Sequence, residues 1–439
     1  MTEGALYIGI DVGTSGCRAE AVDDAGASVA RATAGLEPPR RDGDHVRQRP
    51  ELWWQACTQA LQALADQVAM ARVQAVAVDG TSGTVLLTDA DGRPLGDALM
   101  YNDSGCRKEA ARVAEAAPAD SGAHGSSAGL PKLLHLLERH GAAGPRHVLH
   151  QADWIAARLS GRTGISDANN CLKLGYDVVA REWPDWLEDL GVDPALLPEV
   201  LAPGDMIGPV APAVAAQFGL PPEARVVAGT TDSIAAFLAT GARAPGEAVT
   251  SLGSTLAVKM IAERPIFAPE LGIYSHRLGD HWLAGGASNS GGAVLRQFFT
   301  QAQLDALTPQ LDAERPTGLD YYPLSVPGER FPVNDPNLAP RLEPRPDDDR
   351  MFFQGLLEGI AAIEAQGYAR LQELGAPALT RVLTAGGGAA NPAWTRIRQR
   401  LLGVPVEAAP HQEAAYGAAL LARRGVTEPS PHQPNEADP

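Results

Sequence analysis

Apolar residues open the chain in short runs broken by glycine turns. Residues 6–12 (LYIGIDV), 17–23 (CRAEAVD) and 28–34 (SVARATA) are separated by GTSG and DAGA, a punctuation that predicts three strands in a meander. After the polar loop PPRRDGDHVRQRP the period changes. Leu52, Trp53, Ala56, Ala60, Leu61, Leu64 and Val68 recur at helical spacing between Pro50 and Met70, and Pro50 suits a first helical turn. The β-branched run VQAVAVD (73–79) and the strand TVLLTD (84–89) follow, so the order β-β-β-α-β ends at Asp79, ahead of the loop GTSGT.

From about residue 125 to 200 the pattern is mostly helical (LPKLLHLLERH, HQADWIAARLSG), with proline-rich joins. A second unit then begins. The strand from Arg225 to Gly229 enters GTTDS, residues 246–260 (GEAVTSLGSTLAVKM) read strand, turn, strand, and HWLAGG (281–286) is a further strand. Helical patterns follow in GGAVLRQFF, in 351–374 and in EAAYGAALLARR, with the strand RVLTAGGG between the last two. IDVGTSGCRAEAV and VTSLGSTLAVKM share one plan: a β-branched run, Gly followed by Ser or Thr, and a second β-branched run. That likeness suggests a divergent duplication.

Length and charge narrow the possibilities. With 439 residues the chain has room for two or three structural units. Its 36 Lys+Arg against 53 Asp+Glu give a net charge of −17, which argues against a sequence-independent nucleic-acid binder and against anionic membrane surfaces. No apolar run approaches the roughly 18 residues of a membrane span, and no basic segment precedes the first apolar run, so a cytoplasmic protein is expected. Cys17, Cys57, Cys106 and Cys171 lie far apart without a Cys-x-x-Cys pair and read as reduced packing residues. Any polyanionic ligand must therefore be held by something other than lysine clusters.

Four motifs supply candidates. Asp11-Val12-Gly13-Thr14-Ser15-Gly16 places a carboxylate at a strand end before a glycine turn, which suits a nucleotide phosphate and a water-bridged Mg²⁺ but also a plain capped hairpin. Ser251-Leu252-Gly253-Ser254-Thr255 repeats the turn without the Asp. Asp232, after the strand and ahead of IAAFLATG, is placed to take a proton from a substrate hydroxyl; an N-cap would look the same. Gly386-Gly387-Gly388 with Asn391 lets a flat ring approach the backbone. There is no Walker loop, which excludes a P-loop kinase. Gly125-Ser126-Ser127-Ala128-Gly129 matches a hydrolase nucleophile elbow in letters but lacks the preceding strand. The pairs His135/His140 and His147/His150 lack the spacing of a zinc-protease helix.

Taken together the motifs resemble the FGGY carbohydrate kinases of the actin, hexokinase and Hsp70 superfamily. The resemblance runs along nearly the whole chain: IGIDVGTSGCRA, the segment Gln48 to Trp54, VDGTSGT (78–84), YND (101–103) with Arg107, GTTDS, SLGST, GGASNSGG (285–292), AGGGAANPAW and EAAYGAALLA. SDANNCLKLGYD (166–177) and the WPDWL segment look like the short pentulose kinases, which are D-ribulose or D-xylulose kinase-like.

The resemblance implies an α/β, two-domain, actin-like ATPase fold with a duplicated ribonuclease H-like motif and a cleft between lobes. It divides the chain into an N-terminal, sugar-binding lobe (1–238), a C-terminal, nucleotide-binding lobe (239–426), whose last helix could pack back on the first lobe, and a disordered tail (427–439). ATP and Mg²⁺ are the implied cofactors. Asp11 would hold the metal and orient the sugar. Gly13, Thr14, Ser15 and Arg18 would lie near the γ-phosphate, with Gly253, Ser254 and Thr255 as second phosphate loop. Gly387, Gly388 and Asn391 would contact adenosine. Asp232 would be the general base, and Asp11, Thr81, Ser82, Asp103 and Asp232 would meet the sugar. The implied activity is phosphorylation of a ketopentose, D-ribulose to D-ribulose 5-phosphate first, with D-xylulose, another polyol, or a nucleotide-binding sensor without kinase activity as alternatives. D-ribulose leads because Thr81-Ser82-Gly83 stands where xylulose kinases of the family carry Met-His-Gly; glycerol kinases carry an Arg-Glu pair there. A monomer or homodimer, with no nucleic-acid or membrane partner, completes the expectation.

Overall fold

The computed structural model describes residues 4–141 and 144–428. Of the tail expected from 427 onward, residues 429–439 lie outside the described residues. The chain forms two compact units: unit 1 holds the chain up to Ala239 and again from Glu413, and unit 2 spans Thr240–Gln412.

The meander opens unit 1. β1 (Leu6–Val12), β2 (Gly16–Asp23) and β3 (Ser28–Gly35) pair antiparallel, and β6 (Val73–Gly80) and β13 (Arg225–Thr231) extend the sheet parallel to β1, with β12 (Met206–Pro209) at the far edge. Every residue of β1 is buried, consistent with a central strand covered on both faces. One face carries the helix Pro50–Ala65 through Trp53, Ala56, Ala60, Leu61 and Leu64. This helix stops short of Met70. The chain turns at Asp66, whose N–H is bonded back to the Gln62 and Leu64 carbonyls, while Val68 still packs on the core. The apolar period outlasts the helix because burial continues after the helical backbone has ended.

The other face carries the helix Ala414–Thr427. Two glycines permit the approach. A Cβ on Gly9 would lie 1.9 Å from the Ala415 carbonyl oxygen, and one on Gly417 would lie 1.8 Å from that of Ala235. A larger residue at position 9 would push the helix off β1, and one at position 417 would push it off the helix Asp232–Ala239.

TVLLTD leaves this sheet and joins a second one. β7 (Val85–Thr88) lies among β4 (Arg40–Asp42), β5 (His45–Gln48), β8 (Ala98–Leu99) and β9 (His147–His150), with the helix Gly129–His140 packed against it. A parallel pair, β10 (Ile165–Asp167) and β11 (Glu199–Leu201), completes the strands of unit 1.

Unit 2 repeats the first sheet's plan. β14 (Glu247–Leu252), β15 (Leu256–Ala262), β17 (His281–Ser288) and β16 (Tyr274–Leu278) are successively antiparallel, and β18 (Arg381–Ala385) and β19 (Val406–Ala408) extend it parallel to β14. An antiparallel set that starts with a glycine hairpin and is extended by two strands parallel to its first strand therefore occurs twice, with three antiparallel strands in unit 1 and four in unit 2, in agreement with the duplication suggested by the two glycine hairpins. Among the described residues no helix is long and apolar enough to cross a membrane.

Candidate active site

Parallel strands deliver their C-terminal ends to one edge of a sheet, where loops are free to bind ligands. In unit 1 three such strands arrive together with a carboxylate each. Asp11 on β1 is the register partner of Asp79 on β6, Asp79 faces Thr230 on β13, and Asp232 follows two residues after Thr230 as the first residue of the helix Asp232–Ala239. The cross-strand partner of Asp11 on β2 is Arg18, whose guanidinium lies 2.8 Å from the Asp11 carboxylate. The turn between them is closed by the Gly13 N–H donating to the Gly16 carbonyl at 3.0 Å, with Thr14 half-buried and Ser15 exposed.

Asp79 was read from the sequence only as a strand terminus. It is fully buried, and neither oxygen has a hydrogen bond of normal geometry among the described residues. Burial first, then the charges of Asp11 and Asp232, pushes its carboxyl well above the usual carboxylate range. Asp232 is half-buried and its carboxylate accepts the Ser233 N–H at 2.6 Å, so it sits at a helix start as either reading required.

The loop after β6 is fixed from two sides. Gln151, wholly buried, accepts from both the Thr81 N–H at 3.0 Å and the Thr81 hydroxyl at 2.7 Å. Lys132, also wholly buried, donates to the Gly83 carbonyl at 2.7 Å and to that of Tyr101 at 3.3 Å. Its pKa is lowered to about 7, mainly by burial. Between these anchors the Ser82 hydroxyl is buried without a hydrogen-bond partner among the described residues, as is the Gln151 amide nitrogen. Neither Gln151 nor Lys132 was singled out in the sequence. A lysine on an otherwise apolar helix face, in LPKLL, was the available signal.

Asp103 is not gathered with these groups as an available ligand for a sugar. It is fully buried, and its oxygens take the Val46 N–H at 2.7 Å and the Gly105 N–H at 3.1 Å, with His45 Nδ1 at 3.2 Å. Thr81 too is buried, with its hydroxyl already engaged; Ser82 is the loop member with an uncommitted hydroxyl.

Unit 2 brings two predicted loops together. The turn Gly253–Thr255 joins β14 to β15, and the neighbouring parallel strand β18 runs into Gly386–Gly388, so the loops leave adjacent strand ends. A Cβ on Gly386, which has φ 84°, would lie 2.7 Å from the Leu252 carbonyl oxygen. Gly387 is exposed, with nothing within 4 Å of the space a Cβ would take. The turn is braced by Gly292 N–H and Ala293 N–H donating to the Gly253 and Ser254 carbonyls at 3.0 Å each, and by Arg296 donating to the Ser254 hydroxyl at 2.8 Å. Asn391 caps the helix Pro392–Leu402 through the Trp394 N–H at 2.9 Å, and its amide nitrogen reaches the Thr308 hydroxyl at 3.2 Å. Its local role is thus helix capping.

The model of the N-terminal domain of the FGGY family of carbohydrate kinases matches residues 6–239, and that of the C-terminal domain matches residues 248–426. The chain belongs to the FGGY family of carbohydrate kinases. Xylulose kinase of Escherichia coli is 28% identical, covering 95% of this chain and 90% of its own. Erythritol kinase of Brucella abortus is 26% identical, covering 96% and 87%. A Brucella ovis crystal structure, described as a xyloylose kinase, superposes with a TM-score of 0.85 at 26% identity, covering 96% of this chain and 90% of that one. As a member of this family the chain is a carbohydrate kinase of the two-domain actin-like fold, and FGGY kinases use ATP.

Proposed function

We propose that the protein transfers the γ-phosphoryl group of ATP to a hydroxyl of a ketopentose. The observation that carries this reading is the row of carboxylates at three adjacent parallel strand ends, Asp11, Asp79 and Asp232, beside a glycine turn that holds Arg18. Asp232 accepts the proton of the attacking hydroxyl. Arg18 and the backbone N–H groups of the turn Gly13–Gly16 meet the phosphate oxygens. Ser82 offers its uncommitted hydroxyl to a sugar hydroxyl, and Gln151 and Lys132 hold the loop that presents it.

A divalent cation fits the same row, because Asp79 places next to Asp11 two buried oxygens that have no hydrogen bond of normal geometry among the described residues. Asp11 and Asp79 would hold Mg²⁺, which when bound neutralises charge on the nucleotide phosphates. Such a site needs no basic patch. A net charge of −17 is therefore compatible with an anionic substrate.

The relatives favour D-xylulose over the D-ribulose expected from the sequence. Ser82 is the observation that keeps D-ribulose as a second reading, since a hydroxyl stands where the family's xylulose kinases carry an imidazole. Sugar-dependent ADP release, measured with D-xylulose, D-ribulose, erythritol, glycerol and no sugar, tests both. The expected result is stimulation by a ketopentose with a kcat/KM at least about ten times that for either polyol, a difference of about 1.4 kcal/mol. Absence of stimulation by any sugar would overturn the kinase reading in favour of a nucleotide-binding sensor.

A further inference from the structure

The strand that delivers Asp232 carries one residue too many. Val227 on β13 is the register partner of Ala77 on β6 and Thr230 that of Asp79, so three steps along β13 match two along β6. The surplus is a bulge at Ala228 and Gly229. Glycine makes it possible, since a Cβ on Gly229 would lie 1.6 Å from the Val78 carbonyl oxygen. Ala228 bonds on the side away from β6, its N–H donating to the Asp205 carbonyl at 2.7 Å and its carbonyl accepting the Gly204 N–H at 2.8 Å. The bulge decides which side chains join the carboxylate row. It sets Thr230 beside Asp79 and starts the helix Asp232–Ala239 two residues later. In unbroken pairing Gly229 would stand opposite Asp79, and the side chains after it would turn to the opposite face.

A bulge disrupts the ladder locally, so its conformation depends on bonds from outside the strand pair. One comes from the short helix Ala168–Cys171, which follows β10. Asn169 and Thr230 are both buried, and the Asn169 amide nitrogen donates to the Thr230 hydroxyl at 3.1 Å. The backbone that presents Asn169 is itself fixed. Asp167, buried at the end of β10, accepts the Asn169 N–H at 2.9 Å, the Asn170 N–H at 3.1 Å and the Asn170 amide nitrogen at 2.6 Å. We propose that Asn169 is a positioning residue for phosphoryl transfer: it pins the bulged end of β13, through Thr230, in the arrangement that brings Asp232 to the substrate hydroxyl beside Asp11 and Asp79. The inference rests on the phosphoryl-transfer reading with Asp232 as base. Asn169 acts through the strand and not on the reacting atoms, and a displacement of about 1 Å at the base is enough to cost about a hundredfold in rate.

The test uses the full-length protein with ATP, Mg²⁺ and D-xylulose or D-ribulose, whichever the parent phosphorylates faster. Asn169→Ala removes the donor, and Thr230→Val removes the acceptor while keeping the shape. Each should lower kcat by about ten to a hundredfold and leave KM for ATP and for the sugar within about twofold of the parent. The double variant should be no slower than the slower single one, because the two side chains act as one unit. Losses that multiply in the double variant would overturn the proposal. So would a raised KM at parental kcat, which assigns Asn169 to binding, or a lowered thermal midpoint at parental kcat, which leaves the bond a purely structural one. If Asn169→Ala does not fold, Thr230→Val decides alone, and parental kcat in it overturns the proposal. A parent that transfers no phosphoryl group, or an Asp232→Asn variant that transfers at the parental rate, overturns the underlying reading and this inference with it. Parental kcat in Asn169→Ala and Thr230→Val beside an inactive Asp232→Asn overturns this inference alone.

Discussion

Asp11 and Asp79 are register partners on adjacent parallel strands, yet their surroundings differ. Asp11 is ion-paired with Arg18 at 2.8 Å, while Asp79 is wholly buried and neither of its oxygens has a hydrogen bond of normal geometry among the described residues. A buried carboxylate left in that state costs stability, so its retention points to use in the loaded enzyme. Asp79→Asn keeps the shape and removes the ionisable group. It is expected to lower kcat by about ten to a hundredfold, a loss of roughly 1.4 to 2.7 kcal/mol of transition-state stabilisation, while the thermal midpoint holds or rises. Unchanged turnover would show that Asp79 only packs.

Asp232→Asn should bind ATP as the parent does and lose turnover by about 10² to 10⁴. Isothermal titration with ATP and single-turnover phosphoryl transfer separate the two effects. Near-normal transfer would remove Asp232 from the base role.

Ser82→Ala deletes a buried hydroxyl that lacks a hydrogen-bond partner among the described residues. The free enzyme should therefore be no less stable. The sugar's KM should rise by about tenfold with little change in kcat if the hydroxyl binds substrate and transition state alike, the scale of one hydrogen bond. Steady-state kinetics with varied ketopentose at saturating ATP decides this.

Lys132 links pH to stability. Its folded pKa of about 7 lies below the ordinary 10.5, so between those values the unfolded chain binds the extra proton. Stability from this group therefore rises as pH rises from about 7 to 10.5 and is flat below 7, with a slope of up to about 1.4 kcal/mol per pH unit. Urea melts of the parent and of Lys132→Met at pH 7 and pH 9.5 should show the parent gaining relative to the variant. A constant difference would contradict the buried-amine account.

Arg398 and Glu364 form the ion pair beneath the unit 2 loops, 1% and 0% exposed, joined by two bonds of 2.6 and 2.7 Å. Thr384 on β18 accepts a third bond from Arg398 at 2.7 Å, and Thr250 on β14 donates to Glu364, so the pair ties together the strands that carry both loops. Arg398→Met strands a buried carboxylate and should destabilise by about 3 to 5 kcal/mol, whereas adding Glu364→Leu should recover much of the loss. Chemical denaturation of the single and double variants measures the difference.

Much of this was visible in the order of residues. Strands of six to eight residues with glycine between them, and helices with an apolar face, follow from local sterics and burial, which is why β1 to β3, the pair β14 and β15, and the helices at Gly129–His140 and Ala414–Thr427 stand where the pattern put them. Glycine turns also announce themselves, because few other residues tolerate the backbone they need. The helix beginning at Pro50 was read too long, since Val68 keeps the apolar period after the chain has turned at Asp66.

What could not be read was which polar groups meet. Asp79 follows a strand like many others, and its importance arises from the register that sets it beside Asp11. Asp103 looked free for a sugar, yet Val46 and His45, nearly sixty residues earlier, claim its oxygens. Lys132 and Gln151 reach the same short loop from distant helices. From its sequence the chain declared its elements, its duplicated plan and its glycine turns, all set by interactions among near neighbours. The partners and the burial of its charged side chains were decided only by tertiary packing, because desolvation and pairing depend on groups that the fold brings together from far along the chain.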